Sequence, residues 1–295
     1  MNDRGKPVAG LAPEGFNALR MCRTGPLLYN RHDVYVGGSI MKYGEFSAGE
    51  QALFAQVVRP GEVVVEVGAN IGAHTVELSR LVGSDGEVHA FEPQRIVFQA
   101  LCANLALNQC SNVWARQMAV GSESASILVP ALEPTVRANF GGVSMFGVGH
   151  GEPVVMVTLD AFDLPACHFL KVDVEGMEVE VLRGAQNTIA TYRPLMYVEN
   201  DREQRSRELL GLILGMDYAA YWHLPLLFNP DNFDGETEDI FPGTVSVNVL
   251  CVPAEMRVEL AGTHRIRSSD ESWRGCYEAT IRPLLDARGY PATGA

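Results

Sequence analysis

Three carboxylates stand where short apolar runs end. Glu92 closes Glu87-Val88-His89-Ala90-Phe91, Asp173 closes Phe169-Leu170-Lys171-Val172, and Glu199 closes Leu195-Met196-Tyr197-Val198. A fourth acid, Glu66, lies inside Val63-Val64-Val65-Glu66-Val67, two residues before Gly68. Short apolar runs of this kind read as strands of a parallel sheet, and in an open parallel sheet ligands bind beyond the carboxyl ends. The four acids are therefore expected to converge on one crevice, where they can grip hydroxyls or cations. Any one of them alone would equally be an ordinary exposed acid. Their repetition at strand ends favours the site.

Positioning such acids takes a strand, a sharp turn and a helix in immediate succession, and Val63 to Thr75, VVVEVGANIGAHT, has that form. The β-branched valines predict a strand buried on both faces. Gly68 and Gly72 let the backbone turn and approach a ligand closely. Val76, Leu78, Leu81 and Val82 continue at helical spacing, and Gly83 ends the helix. Glu92 follows Gly72 by 20 residues, the distance at which nucleotide-binding folds place the carboxylate that holds ribose hydroxyls. A nicotinamide enzyme would carry GxGxxG, whose middle glycine admits a pyrophosphate. Here Ala69 and Asn70 break that pattern, and Glu66 sets negative charge near any diphosphate. A cationic, phosphate-free cofactor suits the turn better, and S-adenosylmethionine carries both an ammonium and a sulfonium. An NAD(P)-dependent oxidoreductase and a non-catalytic cofactor-binding module stand as the alternatives.

The bounds agree with one soluble catalytic domain carrying extensions. The chain has 295 residues, 47% hydrophobic and 20% charged. Its formal charge of -13 would repel a phosphate backbone, so nucleic acid is not expected as a partner. No apolar run reaches the roughly 18 residues of a membrane span, and MNDRGKPVAG lacks a signal-peptide core. A cytoplasmic protein with no membrane partner is the expectation. Six cysteines without a CxxC pair argue against a zinc site or a redox motif.

The remaining elements follow from periodicity and punctuation. Residues 1 to about 30, interrupted by glycine and proline, predict a loose arm. Asp33 to Val36 reads as a short strand and Gly37-Gly38 as a turn, while Ser47 with Glu50 fits a capping box before a helix that Pro60-Gly61 ends. A helix is expected from Gln94 to Leu107 and a third strand from Asn112 to Val120. A hairpin-like insertion at about 122–158 surrounds the glycine-rich tract GGVSMFGVGHG. Alternation resumes with a helix that turns Met177, Val181, Leu182, Ala185 and Ile189 inward, then a helix from Arg202 to Leu214 and a strand from Tyr218 to Trp222. After a long loop, a last strand is expected at Thr244 to Val252. The division is an arm over 1–42, for substrate or homo-oligomer contacts, a catalytic domain over 43–253 and a helical extension over 254–295.

EVGANIGAHT, HAFEP, FLKVDVEGMEVEVLRGA and the tail FNPDNF with VSVNVLCVP closely resemble the FkbM family of S-adenosylmethionine-dependent methyltransferases, over about Tyr43 to Pro253. The resemblance implies a class I methyltransferase fold: an α/β, Rossmann-like sheet of seven strands, mostly parallel with its last strand antiparallel, helices on both faces, and O-methylation. It implies that Glu66, Gly68, Asn70 and Gly72 surround the methionine part, with His74 and Thr75 at the helix start, Glu92 on the ribose and Met118 and Ala119 along the adenine. Asp173 completes the cofactor set. Tyr43 and Glu45, in the segment Tyr43 to Ser47, would close over the cofactor and touch the acceptor.

Methyl transfer to a hydroxyl is an in-line displacement, and the acceptor must lose a proton whose ordinary pKa lies far above neutrality. Asp173, Glu199 and Asn200 offer hard oxygen ligands suited to Mg2+ or a similar ion that would ease that loss. Their spacing resembles the Asp...Asp-Asn set of catechol-type O-methyltransferases, with Glu for the second Asp. The bland alternative is that Asp173 touches only cofactor and Glu199-Asn200 caps a segment. Gly176 stands where those enzymes carry a basic lysine, so Glu175 and His223 become the candidate bases. Asn229 and Asn232 would complete a polar pocket for a small-molecule or glycosylated acceptor. The acceptor itself would be set by the arm, the insertion and the 223–242 loop.

Overall fold

The computed structural model describes residues 14–143, 149–256 and 264–287. The chain opens on a hairpin, β1 (Asn17–Cys22) and β2 (Gly25–Asn30), and two helices, α1 (Val36–Tyr43) and α2 (Ala48–Val57). The alternating core follows as β3 (Val63–Val67), α3 (Ala73–Val82), β4 (Glu87–Phe91), α4 (Arg95–Leu107) and β5 (Val113–Arg116). A small sheet comes next, from β6 (Ala119–Val120), β7 (Ala125–Val129) and β8 (Glu152–Val157). The core then resumes with β9 (Phe169–Val172), α5 (Glu178–Arg183), α6 (Gln186–Tyr192), β10 (Leu195–Glu199), α7 (Glu203–Gly215), β11 (Tyr218–His223) and β12 (Asn248–Pro253). Beyond these lie β13 (His264–Ile266), α8 (Trp273–Thr280) and α9 (Arg282–Ala287).

The main sheet has the order β13-β11-β12-β10-β9-β3-β4-β5. The strands β5, β4, β3, β9 and β10 are parallel, and β12 runs antiparallel to both β10 and β11. Strand periodicity divides the core between the two faces. Val64 and Tyr197 pack with Phe54 of α2 and Leu78 of α3, whereas Val65, Met196 and Val198 pack with Val181 of α5, Ile189 of α6 and Leu210 of α7. Helices thus cover both faces, which is why β3 is buried at every position.

Several expectations need correction. The described part of the arm is an ordered hairpin, because α4 reaches it: Asn104 Oδ1 accepts from Leu28 N at 2.6 Å and its Nδ2 donates to Leu28 O at 2.9 Å. Residues 36–43 form a helix rather than a strand and turn. Asp33 Oδ2 accepts from Gly37 N at 2.7 Å, and a Cβ on Gly37 would stand 2.2 Å from Asn30 O, so that glycine serves close packing against β2. Ser47 does not cap α2 through its side chain; its φ is +45°. The expected third strand splits, since Ala119–Val120 joins the small sheet. The hairpin-like insertion is present as β7 against β8, while residues 144–148 of its glycine tract lie outside the described residues. The helix after Asp173 is two helices broken at Gly184, where a Cβ would meet Gly121 O at 1.9 Å. The final core strand starts at Asn248, and β13 makes the sheet eight-stranded among the described residues.

Candidate active site

The loop after β3 is shaped by three left-handed residues, Gly68 (φ +87°), Asn70 (φ +51°) and Gly72 (φ +84°). A Cβ on Gly68 would stand 1.7 Å from the carbonyl oxygen of Asp173, so glycine is needed where the loops after β3 and β9 touch. Gly68 N and Ala69 N donate to Phe91 O at 2.9 and 3.0 Å, tying the loop to the end of β4. There Glu92 accepts from Asn70 N at 3.0 Å and from Gln94 N at 2.8 Å, which orients its carboxylate. Burial pushes its pKa up to about 7, with Asp173 and Glu66 adding repulsion against those two hydrogen bonds.

These loops border a cleft of about 350 Å³ beyond the ends of β3, β4, β9 and β10. Gly68, Asn70, His74, Glu92, Met118, Ala119, Asp173, Glu175 and Glu199 all line it, so nine of the expected site residues are brought together. Glu66 does not line it. That carboxylate is fully buried beneath the loop, accepts from Thr75 Oγ1 at 2.6 Å and has its pKa raised by burial. Gly72 and Thr75 sit behind the turn, Gly72 against Leu101 and Thr75 against Glu66. These three shape the loop from within.

The expected acceptor residues are displaced further. The Tyr43 hydroxyl donates to Glu238 O at 3.1 Å and accepts from Ile240 N at 2.7 Å, while its ring packs on Phe228 and Phe241. Glu45 accepts from Arg23 Nε at 2.6 Å, Asn229 Nδ2 at 2.8 Å and Phe233 N at 2.8 Å. Asn232 bridges Asn229 O and Glu236 O at 2.9 and 2.7 Å. Tyr43, Glu45 and Asn229 fasten the 229–240 loop to α1 and the N-terminal hairpin, Asn232 braces that loop from within, and all four stand outside the cleft lining. His223 also stands outside it, with Nδ1 2.8 Å from Tyr197 Oη, and burial lowers its pKa.

The far end of the cleft is crowded with acids. Asp173, Glu175 and Glu199 each offer an oxygen to one locus, within 4.8 Å of one another. Lys171 donates to Asp173 Oδ2 at 3.0 Å, and Arg202 to Glu175. Burial, with repulsion from Asp173, lifts Glu175 to about 8 and raises Glu199 well above the carboxylate range. Glu199 Oε2 is buried without a hydrogen-bond partner, whereas Asn200 is buried outside the cleft lining and its Nδ2 has no partner. Glu175 thus joins Asp173 and Glu199 at this locus, while Asn200 stands outside the cleft lining.

Lys171 and Glu50 are among the lining residues that sequence reasoning passed over. Lys171 was signalled by being the one charged residue in an apolar strand. Glu50 fits a cap by spacing, yet in the fold it accepts from Tyr197 Oη at 3.2 Å and Asn248 Nδ2 at 2.9 Å while also lying 3.1 Å from His74 Nε2. Those partners come from β10, β12 and α3, which no local pattern foretells.

A doubly wound parallel sheet with antiparallel β12 inserted between β10 and β11, and a cleft across the ends of its central strands, defines the class I S-adenosylmethionine-dependent methyltransferases. The family described as the methyltransferase FkbM domain matches residues 66–220, more than half of the chain, and the chain belongs to that family. Methyltransferase 1 of Beauveria bassiana is 29% identical, over 41% of this chain and 57% of that protein. A solved FkbM methyltransferase from Methylobacillus flagellatus is 19% identical with a TM-score of 0.45, covering 69% of this chain and 50% of the other. A SAM-dependent O-methyltransferase from Thermotoga maritima is 14% identical with a TM-score of 0.46, covering 87% and 88%. The chain thus spans about half the length of the first two relatives.

Proposed function

We propose that the cleft binds S-adenosylmethionine and that the chain transfers its methyl group to a hydroxyl oxygen of a small metabolite or sugar-containing acceptor. The observation that carries this is the charge of the cleft. Glu92, Asp173, Glu175, Glu199 and Asp201 line it, and its cations Lys171 and Arg202 are already engaged by acids. Burial and mutual repulsion already raise Glu92, Glu175 and Glu199 above the usual carboxylate range; a dinucleotide diphosphate would add to that repulsion, whereas a sulfonium and an ammonium would relieve it. Glu92, fixed by two backbone donors, is set to accept the ribose hydroxyls, and Met118 and Ala119 give an apolar surface for the adenine.

Transfer forms a carbon–oxygen bond as the carbon–sulfur bond breaks, leaving S-adenosylhomocysteine and one proton to be removed from the acceptor. Asp173 and Glu199 would hold a divalent cation that lowers the acceptor pKa, and the partnerless Glu199 Oε2 supports that fit. The free thiols of all six cysteines accord with a reducing, cytoplasmic setting.

Calorimetry with S-adenosylmethionine and with nicotinamide dinucleotides tests the cofactor, and tight binding of the dinucleotide alone would refute the reading. A gain of one methyl mass in hydroxylated metabolites, screened with the active protein, separates an enzyme from a binding module.

A further inference from the structure

We propose that the acceptor is an uncharged aromatic alcohol whose ring lies on Tyr35 and Leu227 while its hydroxyl points to the acids at the ends of β9 and β10. This rests on S-adenosylmethionine being the cofactor, and the sheet order then divides the cleft. With Glu92 at the end of β4 holding the ribose and Met118 and Ala119 along the adenine, the methionine end reaches over β3 and β9. The part of the cleft over β10 and β12 is left for the acceptor.

That part has an acidic side and an apolar side. Antiparallel β12 begins where β10 ends, with Asn248 paired to Glu199, and the residues just before it, Thr244 to Val247, line the cleft. Leu227 N donates to Thr244 O and Ser246 N to Pro225 O, both at 3.0 Å, which brings Leu227 to the same wall. Behind Leu227 lie Tyr43, Phe228 and Phe241. Phe241 also stacks on Tyr35, with centroids 5.6 Å apart and planes 17° from parallel. It covers one face of the Tyr35 ring, yet Tyr35 is 37% exposed and borders the cleft, so its other face is available to an occupant.

Three kinds of hydroxyl compound fare differently against this wall. A sugar needs partners for several hydroxyls, but Leu227, Val245 and Val247 offer no side-chain polar atom, and Ser246 Oγ is already engaged by Glu50 and Asn248 at 3.3 and 2.8 Å. A hydroxy acid or a phosphate meets Asp173, Glu175 and Glu199, while Lys171 and Arg202 are held by acids. A neutral aromatic ring buries its faces on Tyr35 and Leu227 and leaves no charge unpaired. Its hydroxyl ionises at about 10, as tyrosine does, well below an aliphatic alcohol, which suits a site with Gly176 where a lysine base would stand. Transfer then forms an aryl methyl ether and S-adenosylhomocysteine, and the phenolic proton passes to water.

Equilibrium dialysis of the intact chain, saturated with S-adenosylhomocysteine so that the cofactor end is filled, tests this with three probes: 2-naphthol, 6-hydroxy-2-naphthoate and methyl β-glucopyranoside. The wild type is expected to hold 2-naphthol at least about tenfold more tightly than the naphthoate and to show no saturable binding of the glucoside. Tyr35→Ala and Leu227→Ala should each weaken 2-naphthol about tenfold, with S-adenosylhomocysteine affinity within about twofold of wild type, and Tyr35→Phe, which keeps the ring, should bind as the wild type does. Absence of 2-naphthol binding, a glucoside or naphthoate bound as tightly, or a loss in Tyr35→Ala shared equally by S-adenosylhomocysteine overturns the proposal. Failure of the wild type to bind S-adenosylhomocysteine instead removes the methyltransferase reading on which it rests.

Discussion

Lys171 and Asp173 lie two residues apart on one face at the end of β9, with Nζ and Oδ2 separated by 3.0 Å. Lys171 is 2% exposed, yet its pKa is raised: burial opposes the charge, and Asp173, Glu66 and Glu50 together outweigh it. A single ammonium thus sits at the wall of the cleft among Asp173, Glu66 and Glu50. Lys171→Met would leave those acids without their counter-charge. The expected loss is about 3–5 kcal/mol of stability, the usual result of breaking a buried charge pair. Urea unfolding followed by circular dichroism measures it, and an unchanged midpoint would show that the ammonium is dispensable.

Gly68→Ala places a methyl group 1.7 Å from a backbone oxygen and asks alanine to hold φ +87°. Relief requires the loops after β3 and β9 to separate. The variant should lose at least about 1 kcal/mol of stability and all measurable S-adenosylmethionine binding, while its far-UV spectrum stays native. Retained binding would mean that this close approach does not shape the cofactor site.

The acids of the cleft give opposite pH signatures. Glu92 has its pKa raised to about 7, so its contribution is complete below the unfolded value near 4.5 and is lost as pH rises through 7. Glu50, lowered to about 2, stabilises the fold above about 4.5 and stops doing so as pH falls through 2. Melting of the cofactor-free protein should therefore peak near pH 5 and decline toward pH 8. Glu92→Gln should flatten part of that decline, and a melting temperature that instead climbs from pH 5 to 8 contradicts the assignment.

Metal assistance predicts that exhaustive chelation removes methyl transfer and that added Mg2+ restores it. Glu199→Gln, which weakens one ligand of the Asp173/Glu199 pair, should lower kcat by about 100-fold with S-adenosylmethionine affinity kept. Asn200→Ala should remain near wild type, because Asn200 stands outside the cleft lining. Activity that survives chelation rules the metal out.

Glu45 is a clamp in this structure. Its carboxyl, 4% exposed, joins the β1–β2 hairpin through Arg23 to the loop at Asn229 and Phe233. Glu45→Ala should cost about 2 kcal/mol and speed proteolysis between residues 229 and 240, with S-adenosylmethionine affinity within about twofold of wild type. A selective rise in the acceptor KM without faster cleavage would return Glu45 to the acceptor site.

The central alternation was legible because its causes are local. Valine runs, glycine exits and 3.6-residue spacing are written in neighbouring residues, so β3, α3, β4, α4 and β9 through β11 fall close to where the sequence places them. The N-terminal hairpin was not legible: its glycines and prolines look like a loose arm until Asn104 of α4 supplies partners 76 residues away. Gly37 and Gly38 similarly read as a turn, because the demand for closeness comes from Asn30 across a packed surface.

The site divides in the same way. The sequence by itself determined the glycine turn and the acids at the ends of β4, β9 and β10, since parallel strands must deliver their carboxyl ends to one edge. Only the tertiary structure decided which polar residues face the cleft and which face away from it. Glu66 turns beneath the loop, Tyr43, Glu45 and Asn229 tie the 229–240 loop to α1 and the hairpin while Asn232 braces it from within, and Glu50 leaves its capping position to meet His74. A buried polar side chain goes where its hydrogen bonds can be met, and those partners lie on elements far apart in sequence that only folding brings together.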